Sequence, residues 1–336
     1  MIPGFRVPFG LIALGTFLIA RALADPDAKA KGGKAARGGG QAGNHKALTA
    51  GQGRLSQPPE KIEDLLPVDD LALEGGYELV PLVDERKNGE FLERVLRIRK
   101  QFALNMGLLV PPVHIKDNLR LASGDYVILL RGAEVARGNL KTRHFLGINP
   151  GTVSRPMKGI KTKEPAFGLP AIWVQERDRQ TAHDRGYTVV DLPTVLSTHL
   201  SEDIKKHAHE FLGRQELQTI LDGVAKTHPK VIDELIPNQL DYGTVLKVLQ
   251  QLLREEVSIR DMLTVLEGLA DYAPRTKDPE VLCELVRGRL ARAISRQYAD
   301  EEGALRYLAL HPGIEETILK GRQNSGVGSH LILDPG

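Results

Sequence analysis

The chain has 336 residues, 41% hydrophobic and 26% charged, with a formal net charge of +2. That is room for two or three domains, since one core seldom grows past about 250–300 residues. The near-neutral charge argues against wholesale nucleic-acid binding, which needs a concentrated basic face. The single cysteine, Cys283 in the apolar run VLCELV, rules out an internal disulfide and a cysteine metal cluster. It reads as a small core hydrophobe and suits a reducing compartment.

Residues 7–20 (VPFGLIALGTFLIA) are apolar or small throughout and lie between Arg6 and Arg21. Two readings fit. One is a secretory signal peptide cleaved after Ala22-Leu23-Ala24, favoured by the short apolar run. The other is a membrane helix over residues 2–24, favoured by the basic excess downstream: Lys29, Lys31, Lys34, Arg37, Lys46 and Arg54 outweigh Asp25 and Asp27, as on a cytoplasmic flank. The residues alone leave the two even. Residues 25–63, rich in Gly, Ala and Lys and carrying Pro58-Pro59, read as a flexible basic linker, because they hold too few large apolar side chains to offset their ordering entropy.

The next region is α+β. Residues 77–83 (YELVPLV) alternate like a strand. Phe91, Val95, Ile98, Phe102 and Met106 recur at helical spacing, which predicts an amphipathic helix over 90–106 closed by Gly107. Residues 113–115 start another strand, and 126–130 with the segment around Val135 form a hairpin turned at Arg131-Gly132. Residues 141–186 are dense in Pro and Gly and read as an inserted β-rich lobe, after which 186–190 (GYTVV) resemble a strand returning to the first domain. Beyond Pro193 the spacing predicts helices near 194–211, 213–226, 240–255, 258–272 and 279–298. Two starts are legible: Ser258, and Asp278 as a cap with Pro279 in the first turn. The stretches 304–310, 314–321 and 330–334 close the chain as an αβ portion.

Catalytic signatures are missing: no GxxxxGK[ST], GxSxG or HExxH occurs in the sequence. The best metal candidate, His207-Ala208-His209-Glu210 with His199 upstream, fails on a helix because residues two apart diverge, so it reads as a solvated helix face. The pairs Glu255-Glu256 and Glu301-Glu302 read as exposed surface. Trp173, the only tryptophan, reads as a core anchor. Phe167 is set among Pro165, Gly168 and Pro170, and an aromatic on so stiff a loop suits either a docking anchor or plain packing.

Seven ordered stretches carry a resemblance: 97–118 (RIRKQFALNMGLLVPPVHIKDN), 145–151 (FLGINPG), 161–174 (KTKEPAFGLPAIWV), 186–200 (GYTVVDLPTVLSTHL), 211–216 (FLGRQE), 245–274 (VLKVLQQLLREEVSIRDMLTVLEGLADYAP) and 292–303 (RAISRQYADEEG). From about Leu66 to Gly336 the chain resembles the bacterial type III secretion export-gate family, its flagellar branch more closely than its injectisome branch. The opening stretch is similar to the family's last membrane helix, which selects the membrane-helix reading over the signal peptide.

The resemblance implies an α+β multidomain chain. Its parts are a transmembrane helix (2–24), a linker (25–63), a first α+β subdomain (64–140 and 187–208), an inserted β-rich subdomain (141–186), a helical subdomain (209–290) and a fourth αβ subdomain (291–336). That fourth part is expected to be incomplete, because family members continue past the GSHLILDPG stretch. Members also carry a multi-helix membrane half upstream, so proton-driven transport is not assigned to these residues. What the resemblance implies is a docking platform, with no catalytic residues, cofactor or metal. It sits in the inner membrane with residues 25–336 in the cytoplasm, assembles as a homo-oligomeric ring of nine, and meets export chaperone–cargo complexes and other export-apparatus proteins. The family's docking positions fall on Glu164, Phe167 and Thr198; the acidic position is often Asp, so Glu164 departs mildly. Phe167 is expected to enter an apolar chaperone face, with Glu164 giving charge complementarity at the rim.

Overall fold

The computed structural model describes residues 68–83, 90–153, 155–325 and 328–332. The expected membrane helix at 2–24 and linker at 25–63 lie outside them. Among the described residues no helix is long and apolar enough to cross a membrane.

The first strand is β1 (Leu71–Gly75), in which Leu71, Ala72 and Leu73 are all buried. It sits inside a sheet of order β2-β1-β3-β4, parallel to β2 (Val113–Asp117) and antiparallel to β3 (Asp125–Leu130), which pairs with β4 (Ala133–Asn139). A strand covered on both faces loses the alternation that marks a half-buried one. The alternating run at 77–83 is not a strand. It forms a 3-10 turn (Tyr77–Leu79) and a short helix α1 (Val80–Val83). Tyr77 is 73% exposed, and Pro81 has no N–H for a ladder. The hairpin turns where expected, with Arg131 (φ 48°) and Gly132 (φ 78°) both left-handed, the geometry that matches strand twist.

Helix α2 (Glu90–Met106) brings Phe91, Val95 and Phe102 into the main core and ends at Gly107, φ 72°. The second sheet, of order β6-β7-β5-β8, is antiparallel throughout: β5 (His144–Ile148), β6 (Ile160–Lys163), β7 (Pro170–Gln175) and β8 (Thr188–Val190). One face joins the main core through Leu146, Ala171 and Trp173. The other packs Ile172, Val174 and Tyr187 against Ala182 of helix α3 (Arg179–Asp184). Trp173 is thus a core anchor, 4% exposed. The strand expected to return to the first domain does not do so, because β8 pairs with β5, Val190 opposite Leu146. Alternation identifies a strand, but its partner is decided by which sheet edge is open.

Helices dominate from α4 (Leu192–Lys206) onward: α5 (Arg214–Ala225), α6 (Pro229–Leu235), α7 (Tyr242–Arg254), α8 (Met262–Tyr272), α9 (Pro279–Arg289) and α10 (Ala291–Tyr298). Three begin with the same Asp-x-x-Thr device. Asp191 accepts from Thr194 N at 2.8 Å, Asp241 from Thr244 N at 2.9 Å and Asp261 from Thr264 N at 3.3 Å. Each such cap is worth about 1 kcal/mol. Asp278 caps α9 as expected, accepting from Glu280 N at 2.9 Å with Pro279 in the first turn.

Ser258, expected to start a helix, serves α2 instead. Its Oγ donates to Asn105 O (2.6 Å), and Ile259 N donates to Met106 O (3.0 Å). A Cβ on Gly107 would come 2.6 Å from Arg260 Cα, so this junction of α2 with the helical region needs glycine. Other boundaries move too. The helix expected to 211 stops at Lys206 and is succeeded by a 3-10 turn (Ala208–Phe211), α6 falls in an expected gap, and the run 279–298 breaks at Leu290. One apolar core runs from Leu71 through α7, α8 and α9, with Cys283 fully buried, to Leu290.

Helix α11 (Pro312–Gly321) and a hairpin, β9 (Arg322–Ser325) with β10 (Gly328–Leu331), come last; the stretch 304–310 forms no regular element. Neither α10 nor α11 has a buried residue.

Candidate functional site

Residues 164–169 join β6 to β7. The backbone closes the turn twice, with Glu164 N donating to Leu169 O (2.8 Å) and Gly168 N to Glu164 O (2.9 Å). Gly168 is left-handed, φ 69°, a conformation other residues adopt only with strain. Inside the turn the Glu164 carboxylate accepts from Ala166 N (2.8 Å) and Phe167 N (2.7 Å). Pro165 has no N–H, so the carboxylate reaches past it to the next two donors. Phe167 is left half-buried on a backbone held from both sides.

Glu164 is therefore not the rim charge expected from the sequence. It is 3% exposed, its two oxygens are both used by the loop, and burial raises its carboxyl against the pull of the two amides. A carboxylate satisfied by backbone N–H groups shapes the loop instead of facing solvent.

Thr198 lies half-buried on α4, held by the Asp191 cap and by Arg94 of α2, whose Nη1 donates to Thr194 Oγ1 at 2.8 Å. Glu164 and Phe167 are joined directly. Thr198 stands on another element, and the loop's electrostatic reach toward it is from Glu164 to Glu202, one helical turn beyond Thr198.

The same part of α4 carries a buried polar row that residue order did not single out. Tyr126 Oη on β3 is 2.7 Å from His199 Nδ1, with the two rings edge to face, and His199 Nε2 is 3.5 Å from Asp203 Oδ2. Burial lowers His199 to about 4, lifts Asp203 to about 6, and raises Glu202 and Tyr126. The one sequence signal was the i, i+4 spacing of His199 and Asp203.

His207, part of the metal candidate, ends α4 with its Nδ1 2.9 Å from Asp203 O, and the turn after it buries Ala208 and Phe211. It is not a solvated helix face. Among the described residues no group of three or more His, Cys, Asp or Glu could hold a metal ion.

The FHIPEP family model matches residues 1–336. The flagellar biosynthesis protein FlhA of Bacillus subtilis (strain 168) is 42% identical over 277 residues, which are 82% of this chain and 41% of that protein's length. The Chlamydia pneumoniae CdsV protein, in its complex with CdsO, is similar in structure with a TM-score of 0.71 at 26% identity, over 82% of this chain and 80% of that one. The nonameric EscV cytosolic domain from the type III secretion system shares the fold, with a TM-score of 0.60 at 22% identity over 80% and 78% of the two chains.

Proposed function

The chain belongs to the FHIPEP family, and on that premise we propose that it is the cargo-docking part of a flagellar type III protein export gate. In this reading it captures export chaperone–cargo complexes, assembles as a ring beneath the inner membrane, is tied there by residues 2–24, and performs no catalysis. The chain spans 41% of the Bacillus subtilis FlhA length, so the activity of that whole protein comes here as part of the proposal. The flagellar branch is preferred over the injectisome because of the 42% identity to FlhA. The ring and a further export-apparatus partner are proposed from the nonameric EscV domain and the CdsV–CdsO complex.

The observation that supports docking most directly is the turn that holds Phe167. Two carboxylate bonds and two backbone bonds fix four consecutive residues around one half-buried aromatic side chain. An anchor that is already ordered loses little entropy on binding. Phe167→Ala is expected to weaken a purified flagellar chaperone–cargo pair by about 2 kcal/mol, roughly 30-fold, the scale of an aromatic hot spot. Calorimetry showing unchanged affinity with an intact fold would remove the docking role from this loop. The membrane placement has its own check: reporter fusions after Pro59 should be active only on the cytoplasmic side.

A further inference from the structure

Tyr126, His199 and Asp203 bridge the first sheet and α4 beside the docking loop, and nothing in the docking reading uses them. The Tyr126 hydroxyl is wedged in place, since a Cβ on Gly138 of the neighbouring strand would lie 2.4 Å from its oxygen. His199 and Asp203 side chains are 7% and 12% exposed. Asp203 Oδ2 has no hydrogen-bond partner, and the adjoining pocket, lined by apolar side chains of β1, β3 and β4 with Ile204, His207 and Phe211, has no space for a water. A carboxylate oxygen left without a donor in such surroundings is costly.

The imidazole has one proton for two nitrogens. With Asp203 ionised, an N–H must face it, so Nε2 carries the proton and Nδ1 accepts from Tyr126. With Asp203 protonated, its O–H needs an acceptor, so Nε2 must lose its hydrogen and Nδ1–H donates to the Tyr126 oxygen. The two arrangements differ by one proton taken from solvent. The ring keeps a single N–H and changes only the nitrogen that carries it.

We propose that proton uptake at Asp203 closes its 3.5 Å contact with His199 Nε2 into a hydrogen bond and flips the His199 tautomer against Tyr126, making the joint between β3 and α4 responsive to pH. The charges that face this row are Lys206 and His207 near Asp203, Lys206 near His199, and Glu164 of the docking turn near Tyr126. Glu202, next to Asp203, also meets Lys205, Glu256 and Glu164. Burial sets the order of titration: Asp203, at about 6, takes its proton before the ring, at about 4, becomes imidazolium. The flip thus occupies the mildly acidic window between those values.

The test is nitrogen NMR of the full chain labelled at histidine ring nitrogens. The His199 signals are assigned by their loss in His199→Gln, or by proximity to the Tyr126 ring if that variant does not fold. The Nε2–H form should dominate at pH 8 and the Nδ1–H form at pH 5, with the ratio changing about tenfold per pH unit around the midpoint. Asp203→Asn should abolish the pH dependence, and Tyr126→Phe should blunt it by removing the hydroxyl that Nδ1–H would meet. An Nε2–H ring persisting to pH 5, an imidazolium forming above pH 6, or a flip surviving in Asp203→Asn would overturn the proposal. None of these outcomes bears on whether Phe167 docks a chaperone.

Discussion

Residues 192–290 and residues 291–332 both contain helices started by local signals. Asp241 caps α7 and Asp261 caps α8; His311 caps α11, with its Nδ1 accepting from Gly313 N at 3.2 Å and Pro312 in the first turn. The difference is in what the helices cover. Helix α7 buries Val245, Val248, Leu249, Leu252 and Leu253, whereas every residue from 301 to 320 is exposed, Tyr307 at 84% and Leu319 at 61% among them. Capping and propensity make a helix; only a partner surface turns its apolar stripe into stability.

The sharpest way to break this comparison is to remove the same side chain from both regions. Leu253→Ala, at a fully buried position, should destabilise the body by about 4 kcal/mol in urea unfolding, through lost transfer energy and a cavity. Leu319→Ala should change it by less than about 0.5 kcal/mol. Equal effects would mean that the terminal helix shares the core.

The second test stays inside the body and uses pH. Asp203 is raised from 3.8 to about 6, so its contribution to stability is full below about pH 4 and is lost as pH rises through 6. His199 is lowered from 6.5 to about 4, so its contribution is full above 6.5 and is lost as pH falls through 4. Between pH 4 and 6 the two oppose each other and largely cancel. Asp203→Asn should therefore leave a stability that rises from pH 4 to 6.5, and His199→Gln one that falls from pH 4 to 6, each by about 3 kcal/mol. Identical pH profiles for the two variants would show that neither group titrates as its burial requires.

Caps give the next smaller effect. Asp241→Ala should cost the body about 1 kcal/mol, measured by thermal unfolding. His311→Ala should leave body unfolding unchanged and lower only the helicity of residues 312–321. The smallest signal is local: amides of α11 should exchange much faster than those of α7, since low burial permits local opening. Uniformly slow exchange through residues 304–332 would make the two regions one cooperative unit.

Much of this architecture could be read from residue order. Helix α2, the 131–132 turn and the Asp278-Pro279 start carry their own local signals, and the ordered stretches from 97 to 303 point to the family. The turn at 164–169 was legible too, because Pro165, Gly168 and Pro170 declare a stiff loop around Phe167. Other features depended on neighbours. β1 was hidden because burial on both faces erases alternation, and Ser258 looked like a helix start because its partner, Asn105 O, is 153 residues away. The partner of β8 was set by an open sheet edge. The role of Glu164 was decided by two amides folding back onto it, a choice between rim and interior that charge alone does not make. The Tyr126–His199–Asp203 row exists only once β3 meets α4. Periodicity, capping and turn chemistry act over a few residues and so are written in the chain, whereas desolvation and long-range pairing require the folded surroundings that create them.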